Sequence, residues 1–150
     1  MIFVTVGTTD FNALVKAMDE LAPSIDDAVV MQIGRGDYVP GNCEWVRFVP
    51  SLEPYYERAE VVVAHGGLGT AMEVLRRGGK LIGVANPDRY DRHQEDLLDY
   101  LAEEGYLSWC QSLASLAEAI DEVRGRTFRH YESPECRIHE VVADFLLSGP

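Results

Sequence analysis

Lysine is almost missing from this 150-residue chain: Lys16 and Lys80 stand beside eleven arginines, while acidic residues number 25. The net charge of −12 repels nucleic-acid phosphates and anionic lipid headgroups alike, which disfavours general nucleic-acid binding and electrostatic attachment to a membrane. Any site for an anion must therefore be built locally. The same bias occurs in salt-adapted proteins and in acidic proteins from ordinary habitats, so it does not identify the source. Cysteine is also scarce. Cys43, Cys110 and Cys136 are odd in number, far apart and without CxxC spacing, which argues against a disulfide framework or a zinc site and leaves them as buried or incidental thiols. No apolar run approaches the about 20 residues that span a bilayer. The opening MIFVTVG is too short for a signal peptide and lacks its basic flank, so a cytoplasmic location is the expectation. Repeats, linkers and low-complexity segments are missing too, and the length suits one domain over residues 1–150.

What is present is an alternation. Apolar runs IFVTV (2–6), AVVMQI (28–33), WVRFV (45–49), VVVA (61–64), LIGVA (81–85) and YLSW (106–109) read as strands. Helical patterns lie between them. Phe11, Leu14, Val15, Met18 and Leu21 recur at three- and four-residue spacing until Pro23 and Ser24 break the pattern. SLEPYYERA, a stretch from about Thr70 to Arg77, residues 91–104 with Leu97, Leu98 and Leu101 on one face, residues 112–123 and residues 134–147 complete the series. Continuously apolar strands alternating with helices predict an α/β domain with a doubly wound parallel sheet, Rossmann-like and covered on both faces. Ligands of such sheets bind at the carboxyl ends of the strands near the switch point. The turns therefore carry the function.

GTTDFN (7–12) follows the first strand. Gly7 permits a tight turn, and Thr8, Thr9 or Asp10 either caps the next helix or faces an anion together with backbone N–H groups; the two readings are compatible. HGGLGT (65–70) is more pointed. Gly66, Gly67 and Gly69 strip side chains from a helix start, so that a diphosphate can approach exposed N–H groups and the positive end of the helix dipole. A glycine turn used only for close helix–strand packing is the plainer alternative. Glu73, one helical turn after Thr70, suits a ribose diol as acceptor, or is a solvated helix glutamate. NPDRYDRHQ (86–94) gathers Arg89, Arg92, His93 and Gln94, able to bond sugar hydroxyls and neutralise phosphate, or else to cap a helix and meet solvent. A nicotinamide site is not expected, because no GxGxxG follows the first strand. No GxSxG elbow exists, and His130 and His139 lack metal spacing.

The segments IFVTVGTTDF, MQIGRGDYVP, AEVVVAHGGLGTAMEVL and DRHQEDLLDYLAEEGYL resemble, in this order, the C-terminal, donor-binding half of family 28 glycosyltransferases. Within that family they are similar to the small catalytic subunits of the dolichol-pathway UDP-N-acetylglucosamine transferase and to bacterial exopolysaccharide relatives. The resemblance covers residues 2 to 122. It implies the C-terminal half of a GT-B fold, in which two Rossmann-like lobes hold a nucleotide-sugar, and this chain is long enough for one lobe. It implies Thr8 and Thr9 beside the donor phosphates and the backbone around Phe48 and Val49 against uracil. The turn of His65, Gly66, Gly67, Leu68, Gly69 and Thr70 would hold the diphosphate, Glu73 the ribose hydroxyls, and His93 with Gln94 the donor sugar, with Arg92 beside them. Two positions depart from the family pattern: Gly67 replaces a frequent serine or alanine, and Arg92 an asparagine.

The implied reaction is an inverting transfer of a sugar, N-acetylglucosamine by resemblance, from a UDP donor to a polyprenyl-linked acceptor. No cofactor is implied, and no DxD-like pair near the glycines demands a metal. The catalytic base is not evident in the chain. It is expected on the acceptor lobe, hence on a membrane-anchored partner subunit that recruits the chain to the cytoplasmic face of a membrane and without which it is inactive; His65 and His93 are the candidates within the chain. Two other readings stay open: a non-catalytic nucleotide-binding regulatory module, and a homo-oligomer that covers the lobe-facing apolar surface itself.

Overall fold

β1 (Ile2–Thr5) is buried along its whole length, as a parallel strand covered on both faces must be. The structure, a computed structural model, describes residues 1–88, 93–133 and 138–148. β2 (Val29–Gln32), β3 (Glu44–Val46), β4 (Val61–His65), β5 (Lys80–Val84) and β6 (Ser108–Trp109) join β1 in a six-stranded sheet ordered β3-β2-β1-β4-β5-β6. Every pairing is parallel.

Strand side chains alternate between faces, and the cores follow that rule. Ile2, Val4, Val61, Val63, Ile82 and Val84 pack under α1 (Asn12–Leu21) and α5 (Leu116–Gly125). Phe3, Val62, Ala64 and Leu81 pack under α2 (Glu53–Arg58), α3 (Leu68–Arg76) and α4 (His93–Glu103). α4 lies so close to the sheet that a Cβ at Gly83 would stand 2.2 Å from a Leu98 methyl. A final helix, α6 (Ile138–Ser148), follows; its expected first residues, 134–137, lie outside the described residues.

The doubly wound sheet is the one the alternation predicts, with differences at the ends of elements. β3 stops at Val46, because Ile33 N–H to Val46 O (2.9 Å) is its last ladder bond and the next carbonyl, Arg47 O, accepts from the Gln32 side chain at 2.6 Å instead. Phe48 and Val49 therefore fall in a loop and not in the strand. α3 starts two residues before Thr70, with Gly67 O accepting from Ala71 N–H at 3.1 Å. β6 keeps two of four expected residues, and a 3-10 turn at Leu113–Ser115, begun by Ser112 Oγ, precedes α5.

The link from β2 to β3 carries no helix. It runs back along α1, held by Tyr38 N–H to Asn12 Oδ1 (3.1 Å) and by the Asp19 carboxylate. Cys43 and Cys110 are free thiols, both pushed up in pKa first by burial, Cys43 to about 11; Cys136 lies outside the described residues. Among the described residues no helix is long and apolar enough to cross a membrane.

Candidate functional site

The strand order runs one way from β1 through β2 to β3 and the other way from β4 through β5 to β6. The chain thus diverges between β1 and β4, and the crevice of a doubly wound sheet opens there, at the carboxyl ends. Two turns flank it: residues 7–11 after β1, and residues 66–67 between β4 and α3.

His65 holds them apart. Its imidazole fills the space that a Cβ would need on either side: a methyl at Gly7 would lie 2.8 Å from Cε1, and one at Gly67 2.4 Å from Nε2. Gly7 also has φ +61, in the left-handed region that favours glycine. At Gly69 an added Cβ would meet nothing within 4 Å, so the start of α3 is open. Ala71 N–H makes the first backbone bond of α3, which leaves the N–H groups of Leu68, Gly69 and Thr70 as the orphan donors of a helix start. Among the described residues the N-cap position, Gly67, makes no side-chain cap hydrogen bond. Exposed N–H groups at a positive dipole end are able to hold an anion.

Thr8 is exposed beside this start. Thr9 is half-buried and its hydroxyl is engaged locally, donating to Val6 O at 2.8 Å. Glu73 is exposed on the α2 side of α3, where its carboxylate, after burial, raises the pKa of the Tyr56 phenol. Phe48, 55% exposed, stands beyond β3 with Val49 half-buried next to it. The first turn, the β4–α3 turn and the post-β3 loop all lie at the carboxyl edge of the sheet. His93 is exposed at the start of α4, and Gln94 is partly committed: its Oε1 accepts from Asn86 N–H at 2.9 Å. Arg89 and Arg92 lie outside the described residues. A hollow of about 350 Å³ opens on the Asn86 side, lined by Phe11, Pro87, Glu95, Trp109 and Gln111 among others.

Sequence reasoning passed over the groups that tie these turns together. Gln32, 2% exposed, receives Thr5 Oγ1–H at 2.6 Å and donates to Gly7 O (2.7 Å) and Arg47 O (2.6 Å). Arg47 donates to Gly34 O and Gly36 O, and buried Asn86 donates to Asp10 O at 3.0 Å. The available signal was a polar residue inside an apolar run, since buried polar groups need partners.

The Glycosyltransferase family 28 C-terminal domain matches residues 1–145. The UDP-N-acetylglucosamine transferase subunit ALG13 of Homo sapiens is 34% identical over a 122-residue alignment that covers 73% of this chain and 11% of that protein. An uncharacterized glycosyltransferase of Methanosarcina mazei is 33% identical over a 104-residue alignment that covers 67% of this chain and 25% of that protein. The chain thus spans only a small part of these relatives' length. Among solved structures, the solution structure of ALG13 superposes with TM-score 0.62 at 18% identity, covering 94% of this chain and 93% of that one. Acinetobacter baumannii MurG gives TM-score 0.65 at 19% identity over 81% of this chain and 40% of that one; these two likenesses are of fold. A matching domain through nearly the whole chain, on a parallel sheet with its crevice between β1 and β4, makes this chain a member of glycosyltransferase family 28, represented by its C-terminal domain.

Proposed function

We propose that the chain is the donor-binding, catalytic subunit of a transferase that moves a sugar, N-acetylglucosamine, from a UDP donor to a lipid-linked acceptor, working with a membrane-anchored partner subunit. The observation that carries this reading is the open start of α3, uncapped among the described residues and facing the first turn across His65. It supports a diphosphate there, with Glu73 toward the ribose, the loop at Phe48 and Val49 toward the base, and His93 with Gln94 toward the sugar. As the sugar leaves with inversion, negative charge gathers on UDP, and fixed N–H dipoles stabilise developing charge without having to reorganise. The base that deprotonates the acceptor hydroxyl belongs, in this reading, to the partner.

Calorimetric titration with UDP, UDP-N-acetylglucosamine and NAD tests the donor half. UDP and its sugar are expected to bind and NAD to be refused; a chain indifferent to UDP ends the proposal. Glu73→Ala is expected to weaken UDP binding about 10- to 100-fold, since hydrogen bonds to a charged group are worth about 1.5–3 kcal/mol. Binding of pyrophosphate, which has no ribose, should stay within about twofold.

The partner half is supported by α6. Ile138, Val142 and Phe145, at 64%, 48% and 79% exposure, share one helical stripe at i, i+4 and i+7. Exposed contiguous apolar surface of this kind marks an interaction site. Phe145→Asp is expected to abolish co-purification with the partner from the native host while leaving the Kd for UDP unchanged within about twofold. A full rate of transfer to a lipid acceptor by the isolated chain would refute the partner claim.

A further inference from the structure

We propose that the Gln32 carboxamide is a positioning group that turns two backbone N–H groups, those of Thr8 and Phe48, onto the nucleotide, so that one buried side chain aligns the diphosphate turn with the base-facing loop. The inference rests on the reading of this crevice as a UDP site.

Gln32 ends β2, with Thr5 of β1 on one side in register and Val46 of β3 on the other. Its amide orientation is forced. Both neighbouring groups, Gly7 O and Arg47 O, are carbonyls and need a donor, so the NH2 faces them at 2.7 and 2.6 Å. The remaining oxygen accepts from Thr5 Oγ1–H at 2.6 Å, and Thr5 Oγ1 in turn accepts from Gly7 N–H at 3.1 Å. Every polar atom of the carboxamide is thereby used, as a buried amide requires.

The consequence lies in the peptide plane. In a planar trans peptide the C=O of one residue and the N–H of the next point in opposite directions. Gly7 O is drawn to the buried Gln32 amide, so Thr8 N–H points away from Gln32; Arg47 O is drawn to the same nitrogen from the β3 side, so Phe48 N–H also points away from it. Thr8 and Phe48 are both exposed, and among the described residues neither N–H is taken by a hydrogen bond. One donor stands in the first turn beside the start of α3, where a phosphate oxygen would accept it. The other stands in the post-β3 loop, where a carbonyl of a pyrimidine edge would accept it.

The test uses the full chain. In Gln32→Met, which keeps length and loses both donors, binding of uridine and of pyrophosphate is each expected to fall about tenfold and that of UDP about 100-fold, a factor of about ten for each misdirected N–H. Gln32→Glu is expected to bind UDP as poorly at pH 7.5. As the pH falls to 5 it should regain about tenfold relative to the unmutated protein, because a protonated carboxyl donates again; a purely structural role would give no such recovery. Folded Gln32→Met that binds UDP within twofold of the unmutated chain overturns the inference and leaves the UDP reading standing. An unmutated chain that refuses UDP overturns both. If the variants do not fold, the amide resonances of Thr8 and Phe48 in the unmutated protein decide: both are expected to shift on adding UDP, and silence from both overturns the inference.

Discussion

Gly34→Ala is expected to lower the stability of the chain by about 2–5 kcal/mol. Gly34 has φ +55, and an L-residue in that region costs about 1–2 kcal/mol. The added Cβ would also stand 2.2 Å from Thr9 O and 2.8 Å from Gly7 O. Neither obstacle is a side chain that can swing away; both belong to the first turn, and Thr9 O is already the acceptor of Arg35 N–H at 3.0 Å. Overpacking of this kind adds about 1–3 kcal/mol. For a domain of this size the melting temperature should drop by about 10 °C, and urea unfolding should show an earlier midpoint. Gly41→Ala is the control: nothing lies within 4 Å of its added Cβ, and the expected change is within about 0.5 kcal/mol. An unaltered midpoint for Gly34→Ala would mean that the turns after β1 and β2 are not fused.

That fusion was the part of the site hardest to read from residues in a row. The parallel sheet was legible because a strand buried on both faces is apolar throughout, and VVV at 61–63 or IFV at 2–4 has no other use in a domain of this kind. The glycines at 66 and 67 were legible as places where something comes close to the backbone. What comes close was not. Periodicity cannot show that the His65 ring, from the end of the same strand, occupies the space over Gly67 and Gly7 together. Gln32 illustrates the same limit: a period-two reading of VVMQI makes it one more strand residue, and its importance arises from carbonyls 25 and 15 positions away in the chain. Those same bonds end β3 early, so a pattern that looked like strand through Val49 gives way to a loop. Local pattern reports which face a residue occupies; a hydrogen bond between two crossovers depends on how the sheet is ordered.

Asp19→Ala is expected to cost about 3 kcal/mol of stability at pH 7 and to spare the crevice. Asp19 is 3% exposed in the last turn of α1. Its carboxylate accepts from Gly41 N–H (3.0 Å), Asn42 N–H (2.8 Å) and the Tyr38 hydroxyl (2.8 Å), so it anchors the helix-free link between β2 and β3. Alanine would strand these donors at about 1–3 kcal/mol apiece, reduced because Gly41 and Asn42 are themselves exposed and can turn to water. Burial opposes the charge on Asp19, but the N–H groups of Gly41 and Asn42, then Tyr38 and Cys43, outweigh it and hold the carboxyl below its ordinary 3.8. A folded-state value below the unfolded one means that unfolding takes up a proton in acid, so this contribution is fully present above the unfolded pKa and is lost as pH falls through the lower native value. The gap between urea midpoints of the unmutated and Asp19→Ala proteins should therefore hold steady from pH 7 to about 5 and close only below about pH 4. A gap independent of pH down to 3 would mean that the carboxylate charge is not what holds the link. UDP affinity, measured where both proteins are folded, should agree within about threefold, since the last turn of α1 stands away from the carboxyl ends of β1 and β4 where the nucleotide is proposed to bind.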